Sequence, residues 1–99
     1  MRQIALLAVA AGLAWAPLSQ GQDAEAAIKK NGCLKCHSVS ADKDGPSFKK
    51  TAAKYKGKAD GAATVQAELK AGKVGADKHA TFKGSDAELK QVVDYILSR

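Results

Sequence analysis

Cys33-Leu34-Lys35-Cys36-His37 is the stretch of this chain best equipped for chemistry. Two thiols three positions apart can each add to a haem vinyl group, and the imidazole that follows can reach the iron as proximal ligand. These are the only cysteines in the sequence, so no other pair competes for the assignment. Other chemistries fit less well. A dithiol redox site belongs to a strand–helix–strand pattern, and no β-rich run precedes Cys33. A structural zinc site needs four ligands, and Cys33, Cys36, His37 and His79 would supply them, but adjacent Cys36 and His37 match no usual finger spacing. A plain disulfide leaves His37 unexplained. The motif therefore predicts one covalently attached haem c, with thioethers at Cys33 and Cys36 and with His37 on the iron.

Short helices must position that motif. A first helix is expected from about Gln22 to Lys30, with Asp23 and Glu25 near its positive end and Ala24, Ala27 and Ile28 on its apolar side. Asn31-Gly32 ends it immediately before the motif. After a loop with Asp44-Gly45-Pro46, a second helix runs from Ser47 to about Lys56, where Gly57 stops it. A third spans Asp60 to Ala71, with Ala62, Val65 and Leu69 on one side and Gly72 as its cap. The stretch from Lys73 to Gly84 reads as irregular, and strand signal is almost absent. Ser85 and Glu88 form a capping box for the last helix. Leu89, Val92, Val93, Ile96 and Leu97 then follow the i, i+3, i+4, i+7, i+8 spacing of a core-facing stripe.

The beginning of the chain reads as an address rather than as part of the fold. Met1-Arg2-Gln3 is a small basic region and Ile4–Ala14 an apolar run with the length of a signal-peptide core. Polar residues arrive at Ser19-Gln20-Gly21, which favours a cleaved leader, residues 1–21, over an uncleaved anchor. Cleavage after Ala16 is the alternative, with Pro17 then following the cut. Removal of residues 1–21 leaves a domain of residues 22–99 without tryptophan or methionine. So small a chain buries little apolar surface by itself, and a covalently held haem would complete its core. The apoprotein is expected to be largely unfolded. The formal charge of +6 falls by one with Arg2, and two ionised propionates would bring it to about +3. Lys49, Lys50, Lys54, Lys56 and Lys58 are read either as a solvated face or as steering toward acidic redox partners and anionic membrane surfaces. With no base-stacking motif, nucleic acid is not an expected partner.

With these residues in hand, the chain resembles a small bacterial class I c-type cytochrome over essentially everything after the leader. Beyond the cysteines and His37, the Gly45-Pro46-Ser47-Phe48 segment resembles that family's proximal loop, as Ala53-Lys54-Tyr55 and Val93-Asp94-Tyr95-Ile96-Leu97 resemble other family segments. The resemblance implies an all-α cytochrome c fold, about four short helices and loops wrapped around the haem. It implies that Pro46 lies near the proximal histidine, whose outer ring nitrogen donates to a backbone carbonyl and so fixes its tautomer and basicity. First and last helices would cross near the haem edge, with Gly32 and Tyr95 close to the crossing. Haem attachment outside the cytoplasm, in the periplasm, follows from the same resemblance.

One departure matters more than these matches. The family's usual distal ligand is a methionine in the loop before the last helix, and this chain has none after Met1. A glycine often stands four residues before that methionine, and Gly75-Ala76-Asp77-Lys78-His79 puts His79 in its place. His79 is therefore the expected distal ligand; an open site, or an amine from Lys73, Lys78 or Lys83, is the alternative. Two imidazoles would lower the potential relative to an imidazole–thioether pair and fill both axial positions. The resulting expectation is a periplasmic single-electron carrier, not an enzyme, serving redox proteins or membrane respiratory complexes. A haem-based ligand sensor with an open or displaceable distal site is the second reading. A peroxidase-like enzyme using His79 as a base is the third, and Arg99 is the only arginine left after the leader to assist it.

Overall fold

The computed structural model describes residues 20–99, with side chains described from Asp23 onward. The leader expected over residues 1–21 lies almost wholly outside the described residues. Four helices carry the fold: α1 (Gln20–Lys30), α2 (Phe48–Tyr55), α3 (Gly61–Ala71) and α4 (Asp86–Leu97). A short 3-10 turn, Cys33–Lys35, follows α1, and a two-stranded hairpin, β1 (Lys73–Val74) and β2 (Asp77–Lys78), follows α3. The all-α expectation holds, with that hairpin as its one strand feature among the described residues.

Each helix boundary has a local cause. Asn31 closes α1 through its backbone N–H to Ala27 (3.0 Å), and Gly32 then takes a left-handed turn at φ 66°. Ser47, nearly fully buried, caps α2 by accepting from the Lys50 N–H. Gly57 and Gly72, at φ 78° and 71°, end α2 and α3 where the sequence placed those stops. Ser85 and Glu88 make the full capping box at α4, the Ser85 side chain taking the Glu88 N–H and the Glu88 side chain taking the Ser85 N–H. The difference from expectation lies after α3. Residues 73–78 pair as an antiparallel hairpin, Lys73 opposite Lys78 and Val74 opposite Asp77, turned by Gly75 at φ 60° and Ala76. Glycine at the first position of a two-residue turn supplies the positive φ that such hairpins need.

The core-facing stripe of α4 is the spine of the molecule. Leu89, Val92, Val93 and Ile96 are buried, Val92 and Val93 completely. Val92 and Ile96 pack with Ala27, Ile28 and Phe48 in one cluster, while Leu89 and Val93 pack with Val65 in a second. Phe82 and Leu97 touch both. Helix α4 thus holds α1, α2 and α3 by alternate faces, so the segments between those helices meet on common ground. Tyr95 reaches back to α1, its hydroxyl 3.4 Å from the Glu25 carboxylate. Gly32 is nearer to Lys35 than to Tyr95: the atoms closest to where its Cβ would stand all belong to the Lys35 side chain.

Candidate functional site

The attachment motif is a single helical turn. The His37 N–H donates to the Cys33 carbonyl at 2.9 Å and the Cys36 N–H to the same oxygen at 3.2 Å. Residues three and four apart on such a turn share a side, so Cys33, Cys36 and His37 face one way. Cys33 is half-buried against the Ala27–Ile28–Phe48 cluster and Cys36 is exposed; both are free thiols. Burial pushes the Cys33 thiol above its ordinary value. That is the opposite of the activation a dithiol redox site gives its first cysteine. Among the described residues, no three His, Cys, Asp or Glu side chains converge as metal ligands.

The proximal loop fits around His37 closely. Its ring Nδ1 lies 2.7 Å from the Pro46 carbonyl oxygen. A carbonyl only accepts, so Nδ1 carries the proton and Nε2 keeps its lone pair. Gly45 donates its N–H to the Cys36 carbonyl at 2.7 Å. A Cβ at Gly45 would collide with Cε1 of the ring and stand 2.7 Å from Nδ1 and 2.9 Å from Nε2. Only glycine permits that approach. Buried Phe48 stacks near the other side, ring centroids 5.8 Å apart. Backbone bonds from Phe48 to Ser38 (2.9 Å) and Lys49 to Val39 (3.0 Å) fasten the start of α2 to the residues just past His37.

His79 comes from the segment between α3 and α4. It follows β2 directly, and its N–H donates to the Gly72 carbonyl at 2.9 Å. Gly72 is crowded from the same loop, since a Cβ there would stand 3.0 Å from the His79 carbonyl and 2.5 Å from Thr81 Oγ1. The Phe82 N–H donates to Leu69 at 2.9 Å, so α3 holds the loop at two points. The His79 ring is also tied through Nδ1, 2.7 Å from the Ala80 carbonyl oxygen. Its Nε2 is therefore the free lone pair, as in His37.

The two imidazoles lie close together, ring centroids 5.9 Å apart and planes inclined by 32°. At metal–imidazole bonds of about 2.0–2.1 Å, two rings on opposite sides of one ion have centroids about 6 Å apart. Both rings have Nδ1 engaged and Nε2 available, the arrangement that orients histidine for a metal. The residues thus fit a haem iron between His37 and His79, with Cys33 and Cys36 beside the proximal ring. Lys73 and Lys78 are exposed on the hairpin and Lys83 is exposed beyond it. The sequence marks His37, Pro46 and His79 as site candidates and Asn31, Gly45 and Gly72 only as turn or cap residues. The Asn31 contact spans 52 positions, while those of Gly45 and Gly72 bridge seven to nine residues of loop, and none follows a helix or strand period.

Residues 22–99 match the family model for cytochrome c. Among curated proteins, cytochrome c-551 of Azotobacter vinelandii is 36% identical over 77 residues, covering 75% of this chain and 94% of that one. Cytochrome c-552 of Hydrogenobacter thermophilus is 34% identical over 101 residues, covering 99% and 98%. Among solved structures, the class 1 cytochrome MtoD of Sideroxydans lithotrophicus ES-1 superposes with a TM-score of 0.74 at 37% identity, over 79% of this chain and 94% of that one. Wild-type cytochrome c552 of Nitrosomonas europaea gives 0.65 at 35%, over 75% and 96%.

Proposed function

The chain belongs to the cytochrome c family, and on that premise we propose a periplasmic single-electron carrier whose one haem c is held by Cys33 and Cys36 and ligated by His37 and His79. The bound haem supplies the Fe(III)/Fe(II) couple, which moves one electron without making or breaking a substrate bond. The protein supplies position and electrostatics. Cys33 and Cys36 fix the macrocycle beside His37, and Pro46 holds the His37 tautomer and makes its Nε2 a better donor. The distal loop presents a second imidazole, likewise oriented through its Nδ1.

The observation that carries this reading is the His37–His79 pair: ring centroids 5.9 Å apart, each ring with Nδ1 on a backbone carbonyl. A distal histidine so placed supports a carrier over a peroxidase, which needs the sixth position open, and over a sensor, in which that position is open or readily vacated. Compared with a thioether, the second imidazole favours ferric iron and lowers the potential. Export by way of residues 1–21 is part of the same proposal. Exposed Lys35, Lys43, Lys49, Lys54, Lys56 and Lys58 support docking to acidic redox proteins or to membrane respiratory complexes, an attraction that salt would screen.

The test is a spectroelectrochemical titration of the holoprotein and of His79→Met. The variant's midpoint should rise by on the order of 100 mV or more, within the range over which axial ligands tune haem potentials. An unchanged midpoint, with an unchanged low-spin spectrum, would remove His79 from the iron.

A further inference from the structure

The loop that carries His79 is gripped from two sides, and only one grip belongs to the neighbouring helix α3. The other is a single side chain at the end of α1. Asn31 Oδ1 accepts from the Lys83 N–H at 2.8 Å, and Asn31 Nδ2 donates to the Lys83 carbonyl at 3.2 Å. The side-chain amide thus closes a two-bond ring with the backbone N–H and C=O of one residue, as a strand partner would. Nδ2 also donates to Ala27 in the last turn of α1 at 2.9 Å. These bonds span 52 positions in the sequence. Asn31 stands two residues before Cys33, and Lys83 stands four after His79. Among the described residues, the pair is the one hydrogen-bonded link between the segment around the attachment motif and the distal loop.

We propose that Asn31 is a positioning residue for the distal ligand: its amide fixes the far end of the His79 loop to the segment that carries Cys33, and so sets how readily His79 leaves the iron. The proposal rests on His79 being that ligand. The physical argument is one of lever and anchor. Backbone bonds to Gly72 and Leu69 hold residues 79 and 82 against α3. For His79 to swing away, the loop must pull from α3 or peel from α1. The Asn31 bonds close the second route. Because the distal loop is thereby tied to the proximal segment, opening of the gap between the two histidines is resisted directly and not only through the core. No other residue type of this length offers a donor and an acceptor from one planar group; aspartate keeps only the acceptor and alanine keeps neither.

Cyanide added to the purified ferric holoprotein reads the rate at which the distal ligand departs, because cyanide enters after that ligand leaves. Asn31→Ala should raise the limiting displacement rate about tenfold, the size expected when hydrogen bonds of ordinary net strength are lost. Asn31→Asp retains the acceptor for Lys83 N–H and should fall between, about threefold faster than wild type. Ala52→Gly, inside α2 and outside both apolar clusters, serves as a control that lowers the melting temperature without touching the loop; its rate should stay within about twofold of wild type. The proposal is overturned if the Asn31 variants exchange at the wild-type rate, or if the control accelerates as much for an equal drop in melting temperature. Should Asn31→Ala fail to mature with haem, the Asn31→Asp rate alone decides. A His79→Ala variant separates the two readings. If it leaves spectrum and rate unchanged, the distal assignment itself fails. If it alters both while the Asn31 variants do nothing, only the role of Asn31 is lost.

Discussion

At His37 the ring is held from three directions: Pro46 takes its Nδ1–H at 2.7 Å, Phe48 stacks at 5.8 Å, and Gly45 lies flush against its edge. The glycine is the least forgiving of the three, because a single methyl group would overlap the ring. Gly45→Ala is expected to cost about 1–3 kcal/mol, as overpacking does, and to displace the ring from the Pro46 carbonyl. A weakened Nδ1 bond makes Nε2 a poorer donor to ferric iron, so the midpoint should rise together with the loss in melting temperature. Thermal unfolding and redox titration of that variant check both halves, and wild-type values for both would contradict them. At this scale much was legible. Cys33, Cys36 and His37 announce themselves by spacing, and His79 by standing where a methionine was missing. Asn31 and Gly45 were legible only as punctuation, because their partners lie on other segments and tertiary contact leaves no local pattern.

Helix α4 shows why one element can be read from sequence and its neighbour cannot. Its stripe and its capping box are both local, and the structure reproduces each. Hydrogen bonds from the Ser85 N–H and hydroxyl hold the Glu88 carboxyl below its ordinary value of 4.5. A carboxylate whose folded-state value is depressed contributes stability above its unfolded value and loses it as pH falls through the folded one. Near neutral pH, Glu88→Gln should therefore melt below wild type, and the gap should close as pH drops from about 5 toward 3. A gap that is constant across that range would deny the carboxylate its role in the cap. The hairpin after α3 lacked any such signature. Its strands are two residues each and exposed throughout, so no alternation marks them. Gly75 was read instead as the glycine that precedes a family ligand. It also turns the hairpin, at φ 60°, four residues before His79.

At the scale of the molecule, the apolar clusters are modest and the largest fully buried side chains are two valines, Val92 and Val93. Phe48 and Phe82 lie at the side where His37 and the distal loop meet the core. A haem between the histidines would extend that core across the gap they frame, so cofactor and packing are one problem in a chain this short. The net charge of +6 and the exposed lysines belong to this scale too, since long-range steering sums over the surface rather than over one residue. The fold was legible because four helices, their stops and the α4 stripe are written locally. The nearness of His37 and His79, on which the proposed carrier rests, becomes visible only once the chain is closed. The direct measurement is the low-temperature electron paramagnetic resonance spectrum of the purified ferric holoprotein, taken beside its visible and near-infrared absorption. The account predicts a wholly low-spin, bis-imidazole signature and no ready binding of carbon monoxide after reduction. A high-spin ferric signal, or rapid carbon monoxide binding, would contradict it.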